Sequence, residues 1–232
     1  MIVAAHQPQY LPWLGYFDKM ARCDVFCYLD DVQYKKNEWQ NRNRIKTANG
    51  RQWLTVPIQF RFPEKICEVQ PARGVFWQRK HLQALVSNYG KAPYFSGIMK
   101  VLQPLYESSW PNLAELNIAA TEQLRSLLGI RPQKMLRSSQ MTLRQEPNDR
   151  LIDICRSVGA DTYLAGAGGG QYMNLERFAA QGVQVIFQNF HHPVYPQRFD
   201  GFVPQLSALD LLFNCGPDSL EILRNGGKRN QT

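Results

Sequence analysis

The first thirty residues alternate between short apolar segments and one helical repeat, and this alternation limits the folds open to the chain. Ile2 to Ala5 is an apolar run that predicts a strand. The apolar residues between Trp13 and Ala21 then recur at helical spacing. Val25 to Leu29 is continuously apolar, as expected of a strand buried on both faces. The pattern predicts a β-α-β unit, in which a helix joins two parallel strands.

The last third of the chain repeats the alternation. Strands are predicted over 134–137, 162–165 and 183–187, and helices over 151–158, 175–180 and 206–213. Strands that alternate with helices form a mostly parallel sheet covered on both faces. We therefore expect an α/β fold with a Rossmann-like, mostly parallel sheet and helices on both of its faces.

Two insertions are predicted after the second strand. Asn49-Gly50 separates the segments 42–46 and 53–57, which is a strong signal for a tight antiparallel hairpin. From 76 to 128 the apolar residues follow a helical period, which predicts about three helices. Length and apolar content favour a single domain over 1–223, followed by a flexible polar tail over 224–232.

Composition restricts the location and the partners. The chain has no apolar run of the roughly 18 residues that a membrane span needs, and its five scattered cysteines suit a reducing compartment. We therefore expect a cytoplasmic protein with no membrane insertion. The formal charge is +8, of which Lys228 and Arg229 lie in the polar tail, leaving about +6. This favours an anionic small molecule as partner, whereas no recognised motif supports nucleic-acid binding.

Polar segments follow the predicted parallel strands. They are His6 to Tyr10, Asp30 to Tyr34, Gly166 to Gly170 and Gln188 to His192. Because open α/β sheets bind ligands at the carboxyl ends of their strands, we expect one crevice to collect these segments. His6, Gln7, Asp30, Arg42 and Gly166 should border it.

The candidate catalytic residues are His6, Asp30 and Asp31. His6 suits a general base or acid, because its ordinary pKa lies near neutrality, although a hydrogen-bonded structural histidine explains it equally well. Asp30 and Asp31 can position a nucleophile or ligate a cation, but turn formation is the commoner use of such residues. The sequence predicts no metal site and leaves the cofactor unknown.

Basic residues on the predicted hairpin are candidate binding groups. Arg42, Arg44 and Lys46 alternate along a strand and so share one face, which suits a diphosphate. A charged edge that prevents aggregation explains them almost as well. Gly166 begins a glycine cluster that would let backbone approach a phosphate, but the cluster has neither a Walker lysine nor a G-x-G-x-x-G register.

With these segments in view, the chain resembles the WbqC-like family over nearly its whole length. The match is carried by residues 6–17, 29–34, 39–45 and 53–57, and downstream by 163–166 with Tyr172, 195–197 and 202–216. These segments supply further candidate substrate-binding residues, namely Gln7, Tyr10, Gln33, Asn43, Tyr172 and Gln197. Where the family leads us to expect a hydroxyl-bearing loop and an acidic residue, this chain has Ala167 to Gly170 and Asn174.

The resemblance implies a place in O-antigen or related surface-polysaccharide biosynthesis. It suggests a transferase that moves an aminoacyl, such as glycyl, or acyl group onto an amino-sugar, with a nucleotide-sugar or an acyl or aminoacyl donor as the anionic partner. Two other classes remain open. The strand-loop-helix opening also resembles nucleotidyltransferases and related ligases, although their H-x-G-H motif is absent. The five tryptophans and ten tyrosines also suit a non-catalytic sugar-binding protein.

Overall fold

The computed structural model describes residues 1–171 and 173–226. In chain order the elements are β1 (Ile2–His6), α1 (Leu14–Ala21), β2 (Val25–Tyr28), β3 (Arg42–Thr47), β4 (Gly50–Thr55), β5 (Ile58–Gln59), β6 (Gln70–Pro71), α2 (Trp77–Tyr89), α3 (Phe95–Glu107), α4 (Leu113–Leu127), β7 (Lys134–Arg137), α5 (Pro147–Ser157), β8 (Thr162–Ala165), α6 (Leu175–Ala179), β9 (Gln184–Phe187), α7 (Ala208–Cys215) and α8 (Ser219–Gly226). Short 3₁₀ turns follow β7, β8 and α7.

The central sheet has five strands in the order β7-β2-β1-β8-β9, and every neighbouring pair is parallel. The chain first moves outward from β1 through β2 to β7. It then returns to the other side of β1 and continues through β8 to β9. The direction of winding therefore reverses between β1 and β8, which is the topological switch point where α/β sheets of this kind bind ligands.

The two faces of the sheet carry two separate apolar cores. Ala4 and Phe26 point to the side covered by α1, the three inserted helices and α7. Val3 and Val25 point to the opposite side, which α5 and α6 cover. Successive side chains of a strand alternate between faces, so strands buried on both sides must be apolar throughout. The sheet and its two helical layers confirm the predicted α/β fold.

Both predicted insertions occur between β2 and β7. Strands β3 and β4 form a separate antiparallel hairpin whose turn includes Gly50, at a φ of 101°. That φ explains the glycine, since it lies in a region that other residues rarely adopt. Helices α2 to α4 form the predicted helical block. The short pair of β5 and β6 was not predicted, because two-residue strands leave no periodic pattern.

Several boundaries differ from the sequence-based expectation. Helix α1 begins at Leu14 with Trp13 as its N-cap residue, one residue after the start of the helical repeat in the sequence. Helix α5 begins at Pro147, four residues before its apolar stripe. Helix α8 continues to Gly226 and so includes the first three residues of the predicted tail. The remainder of that tail, 227–232, lies outside the described residues.

Two further observations concern the chain as a whole. The five cysteines are all free, and four of them are buried. Within 1–171 and 173–226, every helix is too short or too polar to cross a lipid bilayer.

Candidate functional site

His6 is the last residue of β1 and lies beside the switch point. Its Nδ1 atom is 3.1 Å from the carbonyl oxygen of Gln7. Because a carbonyl can only accept a hydrogen bond, Nδ1 carries the proton and Nε2 presents a lone pair. The ring packs against Tyr16, with ring centroids 4.8 Å apart. Burial lowers the pKa of His6 to about 3, with help from the positive charge of Lys19, so the imidazole is neutral at physiological pH.

Lys19 lies at the same end of the sheet and was not singled out as a site residue by the sequence. Its side chain is 4% exposed, and its Nζ atom donates to the carbonyl oxygen of Ala5 over 3.0 Å. Among the described residues it forms no ion pair. Burial lowers the pKa of Lys19 to about 8. A buried lysine without a carboxylate partner is costly and points to a functional role.

Gly166 completes this corner of the sheet. It follows β8 directly, and a β-carbon added there would lie 3.9 Å from Nζ of Lys19. The backbone of β8 therefore ends next to the lysine amine. Tyr172, the other candidate of this loop, lies outside the described residues.

A cleft of about 800 Å³ opens next to the switch point. Gln7 and Gln33, both predicted binding residues, contribute to its wall together with Asp31. The remaining lining residues are Leu29, Val32, Lys35, Pro63, Lys65, Gln145, Pro147, Arg150 and Leu151. This volume is in the range of pockets that hold metabolites and cofactors.

The two adjacent aspartates have different surroundings. Asp31 lies in the cleft wall, where it pairs with Arg150 at 2.7 Å and also accepts a hydrogen bond from Ser138. Asp30 is buried, and its carboxylate accepts hydrogen bonds from the backbone N–H of Ser139 at 2.9 Å and from its hydroxyl at 2.6 Å. Asp30 therefore fastens the loop after β7 to the loop after β2. The cleft presents Asp31 and not Asp30.

Side chains of the inserted elements hold the loop from Gln7 to Trp13 in place. Asn43 donates to the carbonyl oxygen of Leu11 at 2.7 Å, and Asn117 donates to that of Pro8 at 3.2 Å. Tyr10 is buried, and its hydroxyl bonds to Nδ1 of His81 at 2.8 Å. Asn43 and Tyr10, both predicted to bind substrate, are thus committed to the shape of this loop.

Two other predicted binding residues are also engaged within the fold. Lys46 is buried, and its amine donates to the carbonyl oxygens of Phe199, at 2.9 Å, and of Gly201. Gln197 donates to Asp210 at 2.7 Å and exchanges two hydrogen bonds with Val203. Neither side chain faces the cleft.

Arg42 and Arg44 lie on the outer face of the hairpin. The guanidinium carbon of Arg42 is 4.5 Å from the centroid of the Trp53 ring. That of Arg44 is 5.0 Å from the Trp39 centroid and 5.3 Å from the Trp53 centroid. Arg42 does not line the cleft beside the switch point, so the single crevice expected from the sequence consists of separate parts. His6, Lys19 and Gly166 form the corner, Gln7, Asp31 and Gln33 line the cleft, and the two arginines form a third surface.

No cluster of three or more histidine, cysteine, aspartate or glutamate side chains suited to a metal ion occurs in the described part of the chain. The polar groups at the carboxyl edge of the sheet are instead the amine of Lys19, the imidazole of His6 and the pair of Asp31 with Arg150. Such a set can bind an anion, accept a proton and stabilise a developing oxyanion.

The fold and this edge define a doubly wound α/β protein with polar groups at its switch point. The sequence model of the WbqC-like protein family matches residues 7–222, and the chain belongs to this family. The chain is also 38% identical over 226 residues to "Uncharacterized protein Rv1507c" of Mycobacterium tuberculosis, covering 96% of this chain and 97% of that protein. No solved structure matches the chain.

Proposed function

We propose that the protein is a transferase of surface-polysaccharide biosynthesis that moves an aminoacyl or acyl group onto the amine of an amino-sugar. The observation that carries this proposal is the position of His6 and Lys19 together at the carboxyl end of β1, where the lysine amine is buried and forms no ion pair with the described residues. Acyl transfer needs a proton acceptor for the attacking amine and a donor to the oxyanion that forms at the carbonyl carbon. Membership of the WbqC-like family supports the polysaccharide context.

His6 is the proton acceptor in this scheme. The neutral amine of the amino-sugar attacks the carbonyl carbon of an activated acyl group, such as a thioester, and donates its proton to Nε2 of His6. The pKa of His6 is low while the site is empty, but an adjacent negative charge favours the imidazolium form. The tetrahedral intermediate then collapses, the bond between carbon and sulfur breaks, and the imidazolium returns its proton to the leaving thiolate.

Lys19 stabilises the oxyanion. With a pKa of about 8, the Lys19 amine is protonated in most molecules at pH 7, so that it can donate a charge-assisted hydrogen bond. The cleft beside the switch point holds the larger, phosphate-bearing ligand, with Lys35 and Lys65 in its wall. Transfer should therefore decline as the pH rises through about 8, because Lys19 then loses its proton.

The test is a transfer assay with purified protein. A nucleotide-linked amino-sugar is incubated with glycyl or acetyl thioester donors, and mass spectrometry detects the mass of the added group. His6→Gln and Lys19→Met should each lower the rate by about 100-fold, the range expected for one acid-base or oxyanion group. Lys100→Met, at an exposed site on α3, is the matched control and should be unaffected.

The outcome that contradicts this mechanism is equally specific. A wild-type rate retained by both variants, each with a native melting temperature, removes the switch-point pair from the chemistry. Nucleotide hydrolysis or nucleotidyl transfer in place of acyl transfer favours the ligase-like alternative instead. Binding of the sugar with no reaction across the donor panel favours a sugar-binding protein.

A further inference from the structure

A small cleft on the hairpin side of the molecule is separate from the one beside the switch point. It has a volume of about 190 Å³, and Trp13, Trp39 and Gln205 line it. Arg44 borders it, because its guanidinium packs over Trp39 and donates to the carbonyl oxygen of Gln205 at 3.2 Å. The volume is well below that of pockets for drug-sized or nucleotide-sized molecules and suits a single ring.

The walls of this cleft are indole rings held in fixed positions. Trp13 is supported from below by Gly15, where a β-carbon would lie only 2.3 to 2.7 Å from carbon atoms of the indole ring. Its ring also meets Phe190 edge to face, with the centroids 5.5 Å apart. Gly15 is therefore required for the position of Trp13. Rigid indole surfaces bind flat apolar faces at a low entropic cost, and the C–H face of a sugar ring is such a surface.

The arginines of the hairpin have no counter-ions among the described residues. Among the described residues, Arg42, Arg44 and Arg51 form no salt bridge. The Nε atoms of Arg42 and Arg44 are buried and have no hydrogen-bond partner in that part of the chain. Burial and the charge of Arg51 lower the pKa of Arg44. Guanidinium groups that repel one another and retain unused donors are suited to an anion.

Tryptophan stacking keeps these arginines in place. Arg42 and Arg44 both lie over Trp53, and Trp39 and Trp53 have ring centroids 5.5 Å apart. Trp53 itself is 44% exposed. A stacked guanidinium is already ordered before a ligand arrives, so less entropy is lost on binding than for a free side chain.

We propose that this tryptophan–arginine cleft binds one sugar ring that carries a phosphate or carboxylate group, with the ring between Trp13 and Trp39 and the anionic group on Arg44 and Arg42. The inference rests on the proposed function, for which it names the acceptor side as an anionic saccharide. It connects to the switch point through the loop from Gln7 to Trp13, since the backbone N–H of Tyr10 donates to the carbonyl oxygen of Trp39 at 3.1 Å.

Calorimetric titration of the full chain tests the inference with four probes: glucose 1-phosphate, glucuronic acid, glucose and inorganic phosphate. Both anionic sugars should bind more tightly than either glucose or inorganic phosphate. Preference for glucose 1-phosphate over glucuronic acid assigns the anionic group as phosphate, and the reverse preference assigns it as carboxylate. Saturation-transfer NMR should place the sugar ring protons against protein.

Variants separate the two halves of the site. Arg44→Gln should weaken binding of the anionic sugars by about tenfold or more, the loss expected for a charge-assisted hydrogen bond. Trp39→Ala should weaken sugar phosphate by a larger factor than inorganic phosphate, because it removes the wall against the sugar ring as well as one of the two indoles over which Arg44 lies. Arg79→Gln removes an exposed charge on α2 and is the matched control, expected to bind as wild type. Melting temperatures identify variants that fail to fold. If Arg44→Gln fails to fold, Arg44→Lys provides a milder substitution at the same position.

Two results would overturn the inference. The first is the absence of any binding of anionic sugars at millimolar concentration. The second is binding that Arg44→Gln, Arg44→Lys and Trp39→Ala all leave unchanged. Binding of anionic sugars by a wild-type protein that shows no acyl transfer would contradict the transfer mechanism alone, so that a failure of that mechanism and a failure of this binding site give different results.

Discussion

The Nη1 atom of Arg150 lies 2.7 Å from Oδ1 of Asp31, and this pair fastens the start of helix α5 to the loop after β2. Both side chains are largely buried, at 7% and 17% exposure. Arg150→Met would leave a buried carboxylate without its partner and should lower the free energy of unfolding by about 3 kcal/mol. Arg144→Met breaks a much more exposed pair with Asp153, so urea denaturation should detect a far smaller loss.

Lys19→Met should stabilise the protein at neutral pH, because it replaces a buried charge with an apolar side chain of similar length. The pKa of Lys19 falls from 10.5 to about 8 on folding, so between these values the unfolded chain binds more protons than the folded one. Wild-type stability contributed by this group therefore increases over that pH range, by about 3 kcal/mol in total. The stability of Lys19→Met relative to wild type should therefore decrease as the pH rises from about 8 to 10.5.

Parallel urea denaturation of wild type and Lys19→Met at pH 7.0 and 10.0 measures this difference. Using the difference between the two proteins removes the contribution of the tyrosines and cysteines, which titrate in both. If the difference in free energy of unfolding between the two proteins is the same at both pH values, the lysine amine is not buried as described.

Tyr10→Phe should destabilise the protein rather than act directly on substrate. The Tyr10 hydroxyl bonds to Nδ1 of His81 at 2.8 Å in a buried position, and its loss leaves that nitrogen without this partner. The expected cost is about 1–3 kcal/mol. Tyr94→Phe, at a tyrosine that is 39% exposed, is the control and should melt like wild type. If Tyr10→Phe leaves the stability unchanged but weakens ligand binding, Tyr10 contacts the ligand instead of only supporting the loop.

Asp30→Asn distinguishes a structural from a catalytic aspartate. Asp30 accepts hydrogen bonds from Ser139 N and Ser139 Oγ at 2.9 and 2.6 Å, while Ser138 Oγ, which donates to the closer Asp31, lies 3.2 Å from it. An amide group would place N–H donors against at least one of these donors, so thermal denaturation should show a loss of about 1–3 kcal/mol. Transfer activity per folded molecule should remain close to wild type, and a large loss at unchanged stability would contradict the structural role.

The sheet was accessible from the sequence because its strands leave a strong signal. Strands buried on both faces must be apolar throughout, and Val25 to Leu29 shows this directly. The position of His6 follows from the same argument, since a polar residue that ends such a strand lies at the carboxyl edge of the sheet. The helical period also predicts that Trp13, Phe17 and Met20 are buried against the sheet. Phe17 and Met20 are fully buried, whereas Trp13 is only partly buried.

The hydrogen-bond partners of several side chains could not be predicted from the sequence in the same way. The helical period allowed Lys19 to face either solvent or the site, and only the path of β1 places its amine on the carbonyl oxygen of Ala5. Ser207 and Asp210 have the spacing of a capping box. Ser207 does cap α7, but Asp210 accepts hydrogen bonds from Tyr89 and Gln197, which are distant in the sequence. Local patterns predict local bonds, and these bonds are long-range.

The fastening of the loop after β1 constrains the order in which the newly made chain can reach its final form. The side chains that hold this loop belong to Gln40, Asn43 and Asn117. The N-terminal residues leave the ribosome first, yet the last of the hydrogen bonds that hold the loop beside His6 cannot form until Asn117 has been synthesised. Strand β1 then gains its second neighbour only when β8 emerges. Contacts this distant in the chain slow folding, so the corner of His6, Lys19 and Gly166 should be among the last parts to form.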